Sequence, residues 1–216
     1  MTTPHTLNGR FDAACAQLPL VAILRGIEPA DAEAVGLVLF EEGFRLIEVP
    51  LNSPEPFASI AAIRRALPAE ALVGAGTMLA EPQVQSLREA GGELAVMPHA
   101  DPALIRAAKA AGLLCVPGVA TPTEAFAALA AGADALKLFP AEALGPSVVK
   151  AWRAVLPRGL RFLPVGGITP TTMAPYVAAG AGGFGLGSAL YRPGAKPAEV
   201  AERARDFARA WRESAG

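Results

Sequence analysis

Eight short apolar runs at near-regular intervals restrict the fold of this chain more than any other feature of its sequence. Continuous apolar runs rich in Val, Leu and Ile are typical of strands that are buried on both faces of a parallel sheet. Their starts recur roughly every 20 to 27 residues, which is the spacing of repeated strand-then-helix units. The runs are Pro19–Leu24, Leu46–Pro50, Ala71–Ala75, Leu94–Pro98, Leu113–Pro117, Ala135–Phe139, Arg161–Val165 and Gly183–Gly187.

The segments between these runs carry the start and stop signals of helices. Asp101 and Pro102 open one segment and Gly112 closes it, a cap–Pro–helix–Gly order that recurs along the chain. This recurrence accounts for 20 prolines and 22 glycines in a chain without linkers. The predicted helices are Leu7–Leu18, Glu28–Glu42, Glu81–Ala90, Asp101–Ala111, Thr121–Ala131, Thr169–Ala179 and Lys196–Glu213.

Eight such units in about 200 residues predict an α/β fold, a (β/α)8 TIM barrel with an extra N-terminal helix. We expect one domain over residues 1–216, with a tail and the extra helix in residues 1–18. The alternative is a doubly wound sheet, which normally has five or six strands and a glycine-rich first turn. The first turn here, Leu24–Ile27, is not a dinucleotide-binding fingerprint.

Composition excludes several classes of function. Hydrophobic residues make up 52% of the 216 and charged residues 18%, which excludes a disordered protein. The net charge of −1 gives no electrostatic basis for binding nucleic acid or an anionic membrane. No apolar stretch is long enough to span a membrane, and Met1–Arg10 contains no signal sequence, so we expect a cytoplasmic protein. Cys15 and Cys115 have no metal or redox spacing, and we expect no metal.

Two charged residues within the apolar runs are the candidate catalytic groups. Lys137 lies inside a core strand, whereas the other three lysines fall in helical segments or a loop. Desolvation lowers the pKa of a buried lysine and makes a neutral, nucleophilic amine available. Glu48 lies in a second apolar run, where burial would raise its pKa and suit it to acid–base work. The alternative is that Lys137 and Glu48 form a buried ion pair.

The remaining candidates follow the ends of strands, where barrel enzymes place their active sites. Arg25 can bind a carboxylate through two parallel hydrogen bonds, and Thr77 follows two small residues. Val165–Ile168 and Gly185–Ser188 are glycine-rich, and such turns bring backbone N–H groups close to a phosphate or form plain tight turns. His99 follows the fourth strand, where it either contacts substrate or caps its loop.

Six motifs, in this order along the chain, resemble the KDPG and KDPGal aldolases, which are class I pyruvate aldolases of sugar-acid catabolism. The resemblance runs from about Leu18 to Trp211, and EVPLNS and VGG are most similar to the 2-dehydro-3-deoxy-6-phosphogalactonate branch. The motifs are Ile23–Gly26 (ILRG), Glu48–Pro54 (EVPLNSP), Gly74–Thr77 (GAGT), Lys137–Pro140 (KLFP), Val165–Gly167 (VGG) and Gly185–Ser188 (GLGS).

The resemblance implies a reaction and a role for each matching residue. Lys137 would form a Schiff base with the C2 ketone, and Glu48 would transfer protons as the C3–C4 bond breaks. The products would be pyruvate and glyceraldehyde 3-phosphate, with no cofactor, and the enzyme would be a homotrimer. Arg25 and Thr77 would hold the substrate carboxylate. The phosphate would bind Gly166, Gly167, Gly187 and Ser188, with Val165, His99 and Asn52 as further candidate contacts.

Three other functions remain open at this point. The same reaction on the gluconate epimer differs only in the configuration of one substrate carbon. A phosphate-binding isomerase or synthase, similar to thiamine-phosphate synthase, would use the phosphate turns without an imine. A sugar-phosphate sensor would use the same turns with Lys137 and Glu48 as an ion pair.

Overall fold

The computed structural model describes residues 6–215, in which parallel strands alternate with helices. The strands are β1 (Leu20–Ile23), β2 (Leu46–Pro50), β3 (Leu72–Gly76), β4 (Leu94–Val96), β5 (Leu114–Val116), β6 (Gly118–Val119), β7 (Leu136–Leu138), β8 (Phe162–Pro164) and β9 (Phe184–Leu186). The helices are α1 (Leu7–Gln17), α2 (Pro29–Glu41), α3 (Pro56–Ala66), α4 (Pro82–Glu89), α5 (Pro102–Ala110), α6 (Pro122–Ala130), α7 (Pro146–Arg153), α8 (Met173–Ala178) and α9 (Pro197–Ala215).

Each of the eight apolar runs contains a strand, and every strand pairing in the described chain is parallel. One sheet has the order β5-β4-β3-β2-β1-β9 and the other has the order β6-β7-β8. Strand β6 lies outside the predicted runs and follows β5 directly, separated from it only by Pro117. A single bridge between Val165 and Gly185 joins the end of β8 to β9. Neighbouring strands follow chain order, unlike the reversed order of a doubly wound sheet.

Two apolar clusters lie on opposite faces of this curled arrangement. The larger one fills the space between the strands and the surrounding helices. The smaller one is formed by inward-facing strand residues such as Leu46 and Leu163, together with Phe11, Ala14 and Cys15 of α1. The predicted extra helix is therefore present and packs against the inner strand residues. The structure thus has the α/β, barrel-like architecture that the strand spacing predicts.

Two residues that were read from the sequence as helix N-caps form capping hydrogen bonds in the structure. Asp101 accepts from the backbone N–H of Ala103, and Thr121 forms a reciprocal capping box with Glu124. Helices α3 and α7 were not among the predicted helices, because they have neither a side-chain cap at the start nor a glycine just after the C-cap residue. Helices α2 and α4 also lack the side-chain cap but are followed by Gly43 and Gly91. The predicted helix Thr169–Ala179 begins as a 3-10 turn over Pro170–Thr172 before α8.

Two of the sequence predictions concern the N-terminal segment and membrane-spanning helices. Residues 1–5, which belong to the expected N-terminal tail and are half of the Met1–Arg10 segment examined for a signal sequence, lie outside the described residues. Within residues 6–215, no helix combines the length and the apolar character needed to cross a bilayer.

Candidate active site

A cavity of about 360 Å³ lies beyond the carboxyl ends of the strands. This is the end at which parallel α/β barrels place their reactive groups. Residues that end or follow β1, β7, β8 and β9 form its walls, so segments far apart in the chain meet here. They are Ile23, Arg25, Lys137, Phe139, Glu142, Val165, Gly166, Gly167, Ile168, Thr169, Gly187, Ser188, Ala189 and Arg192.

Lys137 lies at the inner end of this cavity, at the centre of β7, with only 7% of its surface exposed. Burial lowers the pKa of Lys137; the charge of Glu48 opposes this shift and that of Arg25 adds to it. Its Nζ lies 4.7 Å from the centre of the Phe139 ring. In the chain from Thr6 to Ala215 no carboxylate lies within 4.0 Å of Lys137, so the buried ion pair considered above is not formed.

Glu48 lies in the middle of β2 and is 2% exposed. Burial raises its pKa to about 7, against the opposing charges of Lys137 and Arg25. Its Oε2 is buried and has no hydrogen-bond partner among the described residues. Glu48 and Lys137 both line a narrow recess whose other walls are mainly apolar, formed by side chains such as Val96 and Leu163. The two groups therefore share a low-dielectric space that shifts the pKa of Lys137 downward and that of Glu48 upward.

Gly76 makes room for the Glu48 carboxylate. These residues lie on adjacent strands, where Glu48 pairs with Gly74 and Pro50 pairs with Gly76. A Cβ atom on Gly76 would overlap both carboxylate oxygens of Glu48. The GAGT segment therefore has a direct structural role, because it allows a charged side chain to lie flat against β3.

Arg25 extends from the end of β1 into the cavity and is held by two neighbours. Its Nη1 donates to Asn52 Oδ1 at 2.5 Å, and its Nη2 donates to Thr77 Oγ1 at 3.5 Å. Thr77 has a φ of 54°, a left-handed conformation that a β-branched residue rarely adopts. Arg25 and Thr77, which were predicted to hold the substrate carboxylate, are thus brought together with Asn52, a further candidate contact, although Asn52 and Thr77 do not themselves line the cavity.

Residues of both glycine-rich turns line the cavity. The backbone N–H groups of Gly167, Ile168, Ser188 and Ala189 all belong to residues that line it. None of these four groups donates to a backbone or side-chain acceptor within residues 6–215. Unpaired N–H groups in a concave turn form an anion-binding site. This observation favours phosphate binding over plain tight turns.

Comparison with known proteins agrees with this geometry. Residues 11–203 match the family model for KDPG and KHG aldolases. The chain belongs to this aldolase family. A relative from Rhizobium meliloti (strain 1021), named a probable 2-dehydro-3-deoxy-6-phosphogalactonate aldolase, is 52% identical over 86% of this chain and 88% of its own length. The 2-dehydro-3-deoxy-6-phosphogalactonate aldolase of Escherichia coli (strain K12) is 48% identical over 92% of this chain and 97% of its own length.

A solved structure, the native KDPGal structure, superposes with a TM-score of 0.90 and 47% sequence identity. The match covers 92% of this chain and 96% of that one. The family assignment made from six motifs is therefore confirmed. Family membership also makes the chain an aldolase, and so a lyase.

Two charged residues of the cavity were missed by the sequence analysis. Glu142 follows Lys137 by five residues, and its side chain lies so close to the turn that a Cβ on Gly166 or Gly167 would overlap it. Arg192 follows Ser188 by four residues, and its Nε donates to the Ser188 carbonyl at 3.1 Å. Their short distance from KLFP and GLGS along the chain is the signal that points to them.

The remaining predicted contacts separate into two groups. Val165 lines both the cavity and the recess beneath it. His99 is exposed on the loop after β4 and is not among the residues that line the cavity. The described chain contains no group of three His, Cys, Asp or Glu side chains placed to hold a metal ion.

Proposed function

We propose that this chain is a class I aldolase that cleaves 2-dehydro-3-deoxy-6-phosphogalactonate to pyruvate and D-glyceraldehyde 3-phosphate. The observation that carries the proposal is the Lys137 amine, which is buried, forms no ion pair with the described residues and is directed into a cavity beside Glu48. The substrate is inferred from the two relatives that are 52% and 48% identical, both named for this sugar acid.

The first step is formation of an imine at Lys137. Because its pKa is lowered by burial, a larger fraction of the amine is neutral and nucleophilic near pH 7. The neutral nitrogen attacks the C2 ketone, and the resulting carbinolamine loses water to give a protonated imine. This cation withdraws electrons from C3, so the imine supplies the electron sink that carbon–carbon cleavage needs.

Glu48 then moves the protons that cleavage requires. Its carboxylate, directly or through a water molecule, takes the proton of the C4 hydroxyl as the C3–C4 bond breaks. The bonding electrons pass into the imine to form an enamine, and glyceraldehyde 3-phosphate leaves. Protonated Glu48 returns a proton to C3, and hydrolysis of the imine releases pyruvate. A pKa of about 7 suits a carboxyl group that acts as base in one step and acid in the next.

The two ends of the substrate bind on opposite sides of Lys137. Arg25, oriented by Asn52 and Thr77, can bind the C1 carboxylate next to the carbon that Lys137 attacks. The four unpaired N–H groups of the two turns can bind the phosphate at C6. Binding both ends fixes C2 at the amine and C4 near Glu48, which removes the orientational entropy from the chemical step.

The proposal includes the closed form of the fold and its assembly. We infer a single closed (β/α)8 barrel, because only Pro117 separates β5 from β6 and the bridge between Val165 and Gly185 joins the remaining edges. The homotrimer and the cytoplasmic location remain predictions.

A direct test is to assay the galactonate and gluconate substrates side by side and to measure pyruvate release. We expect cleavage of both C4 epimers to be detectable, with the higher kcat/KM for the galactonate form. A preference for the gluconate form would assign the chain to the other substrate. If neither sugar acid is cleaved and the protein has another, EDTA-sensitive activity, the isomerase or synthase is favoured. If a sugar phosphate raises the melting temperature but is not turned over, the sensor is favoured.

A further inference from the structure

The mechanism above leaves one cation of the cavity without a function. Four charged side chains line the cavity: Arg25, Lys137, Glu142 and Arg192. Arg25 is bound to Asn52 and Thr77, and Lys137 lies at the inner end as the nucleophile. Among these lining residues, Arg192 alone supplies positive charge at the outer end, beside the turn that contains Ser188.

The contacts of Arg192 leave its guanidinium available for an anion. Its Nε donates to the Ser188 carbonyl at 3.1 Å, which holds the side chain against the turn. Among residues 6–215, no carboxylate lies within 4.0 Å of Arg192, and its two terminal nitrogens donate to no acceptor. The two free nitrogens have the geometry that binds two oxygens of a phosphate.

The position of Glu142 adds to the need for a cation here. Its side chain lies against Gly166 and Gly167 and lines the same cavity as Ser188 and Arg192. A carboxylate at this place disfavours a phosphate dianion bound by neutral N–H groups alone. Arg192 is the side chain positioned to offset that repulsion.

We propose that Arg192 is a specificity-determining residue that binds the substrate phosphate and selects phosphorylated over unphosphorylated sugar acids. The inference rests on the proposed function and extends it from backbone donors to a charged side chain. Hydrogen bonds between ionised groups are stronger than those to neutral donors. Loss of this side chain should therefore weaken binding of the phosphorylated substrate far more than binding of its unphosphorylated analogue.

The kinetic test compares kcat/KM for the phosphorylated substrate with kcat/KM for 2-dehydro-3-deoxygalactonate. We expect R192Q to lower this ratio about ten- to a hundredfold, mainly through KM, and R192K to recover part of it. The matched control is R106Q, which changes an exposed arginine on α5 that does not line the cavity. An unchanged ratio in R192Q, or an equal fall with both substrates, would overturn the proposal.

A binding test keeps this proposal separate from the proposed aldolase reaction. Glycerol 3-phosphate carries only the phosphate end of the substrate, so its binding does not depend on turnover. We expect it to raise the melting temperature of the wild type and of R106Q, with a clearly smaller rise for R192Q. Equal rises in wild type and R192Q, or no rise in the wild type, would overturn the role of Arg192. A wild type that binds glycerol 3-phosphate but cleaves neither sugar acid would refute the aldolase alone.

Discussion

The inner and outer ends of the cavity are built in different ways. At the inner end, Lys137 and Glu48 are side chains of central strands, and burial moves their pKa values toward neutrality. At the outer end, the turns around Gly167 and Ser188 offer backbone N–H groups, and Arg192 is exposed. The difference follows from the chemistry, because proton transfer needs groups that ionise near pH 7, whereas a phosphate needs only fixed donors.

The two ends should therefore respond differently to substitution. Changes at the inner end should affect kcat, because they remove groups that act in the transition state. Changes at the outer end should affect KM for the phosphorylated substrate, because they remove binding that is the same before and during the reaction. The predictions below test this division from its largest expected effect to its smallest.

E48Q should separate imine formation from the later steps. Gln cannot carry the proton from the C4 hydroxyl to C3, so we expect kcat to fall about 10²- to 10⁴-fold. Lys137 remains intact, so borohydride with pyruvate should still trap the imine. Steady-state cleavage and mass spectrometry of the trapped protein measure the two effects. Unchanged turnover would remove Glu48 from the mechanism.

The same substitution should reveal the energetic cost of burying Glu48. Its pKa is 4.5 in the unfolded chain and about 7 in the folded one, so the folded state retains a proton that the unfolded state has lost. The stability contributed by the neutral form is complete below pH 4.5 and is lost as pH rises through about 7. Relative to E48Q, the wild type should lose about 3 kcal/mol of unfolding free energy over this range.

Urea unfolding of both proteins at pH values from 5 to 8 measures this difference. The comparison cancels the titrating groups that Glu48 does not influence, because these are common to the two proteins. A stability difference that does not change with pH would contradict the raised pKa.

G76A should impair catalysis without removing any catalytic group. A Cβ at position 76 would overlap the Glu48 carboxylate, which must then move. Displacement of a catalytic group by about 1 Å can cost roughly 10²-fold, so we expect a loss of that order in kcat. G145A is the matched control, because no atom lies within 4 Å of its added Cβ. Normal kcat in G76A would show that the position of Glu48 is not critical.

N52A should have a smaller effect than E48Q or G76A. It removes the hydrogen bond that holds Arg25 Nη1, while the Arg25 charge and the bond to Thr77 remain. Loss of one hydrogen bond of this kind should raise KM about three- to tenfold with little change in kcat. The trapping rate as a function of pyruvate concentration gives an independent measurement, since pyruvate retains the carboxylate. A change in kcat alone would assign Asn52 a different role.

The inner end is more accessible to sequence analysis than the outer end. A charged residue within an apolar run is conspicuous, so the amino-acid sequence alone is enough to single out Lys137 and Glu48. Eight of the nine described strands are predictable for the same reason, because buried parallel strands are continuous apolar runs. Helices α3 and α7 were missed because they have neither a side-chain cap at the start nor a glycine just after the end.

The outer end was predicted only in part, because backbone donors have no characteristic side chain. The glycines pointed to the two turns, but nothing in Ile168 or Ala189 indicates that their N–H groups are unpaired. Arg192 is one of 15 arginines, and its position is fixed by the fold of the turn that precedes it. Similarly, the position of His99 just after β4 predicted that it would lie near the opening of the cavity. The conformation of its loop, which the sequence does not show, places it away from the residues that line the cavity.

The central claim is that Lys137 forms a covalent imine with the substrate ketone. The most direct measurement is to reduce the protein with borohydride in the presence of pyruvate and to map the modified peptide by mass spectrometry. We predict one reduced pyruvyl group on Lys137, no label in K137A, and no cleavage activity in K137A. A label on another lysine, or cleavage without any trapped adduct, would contradict the mechanism.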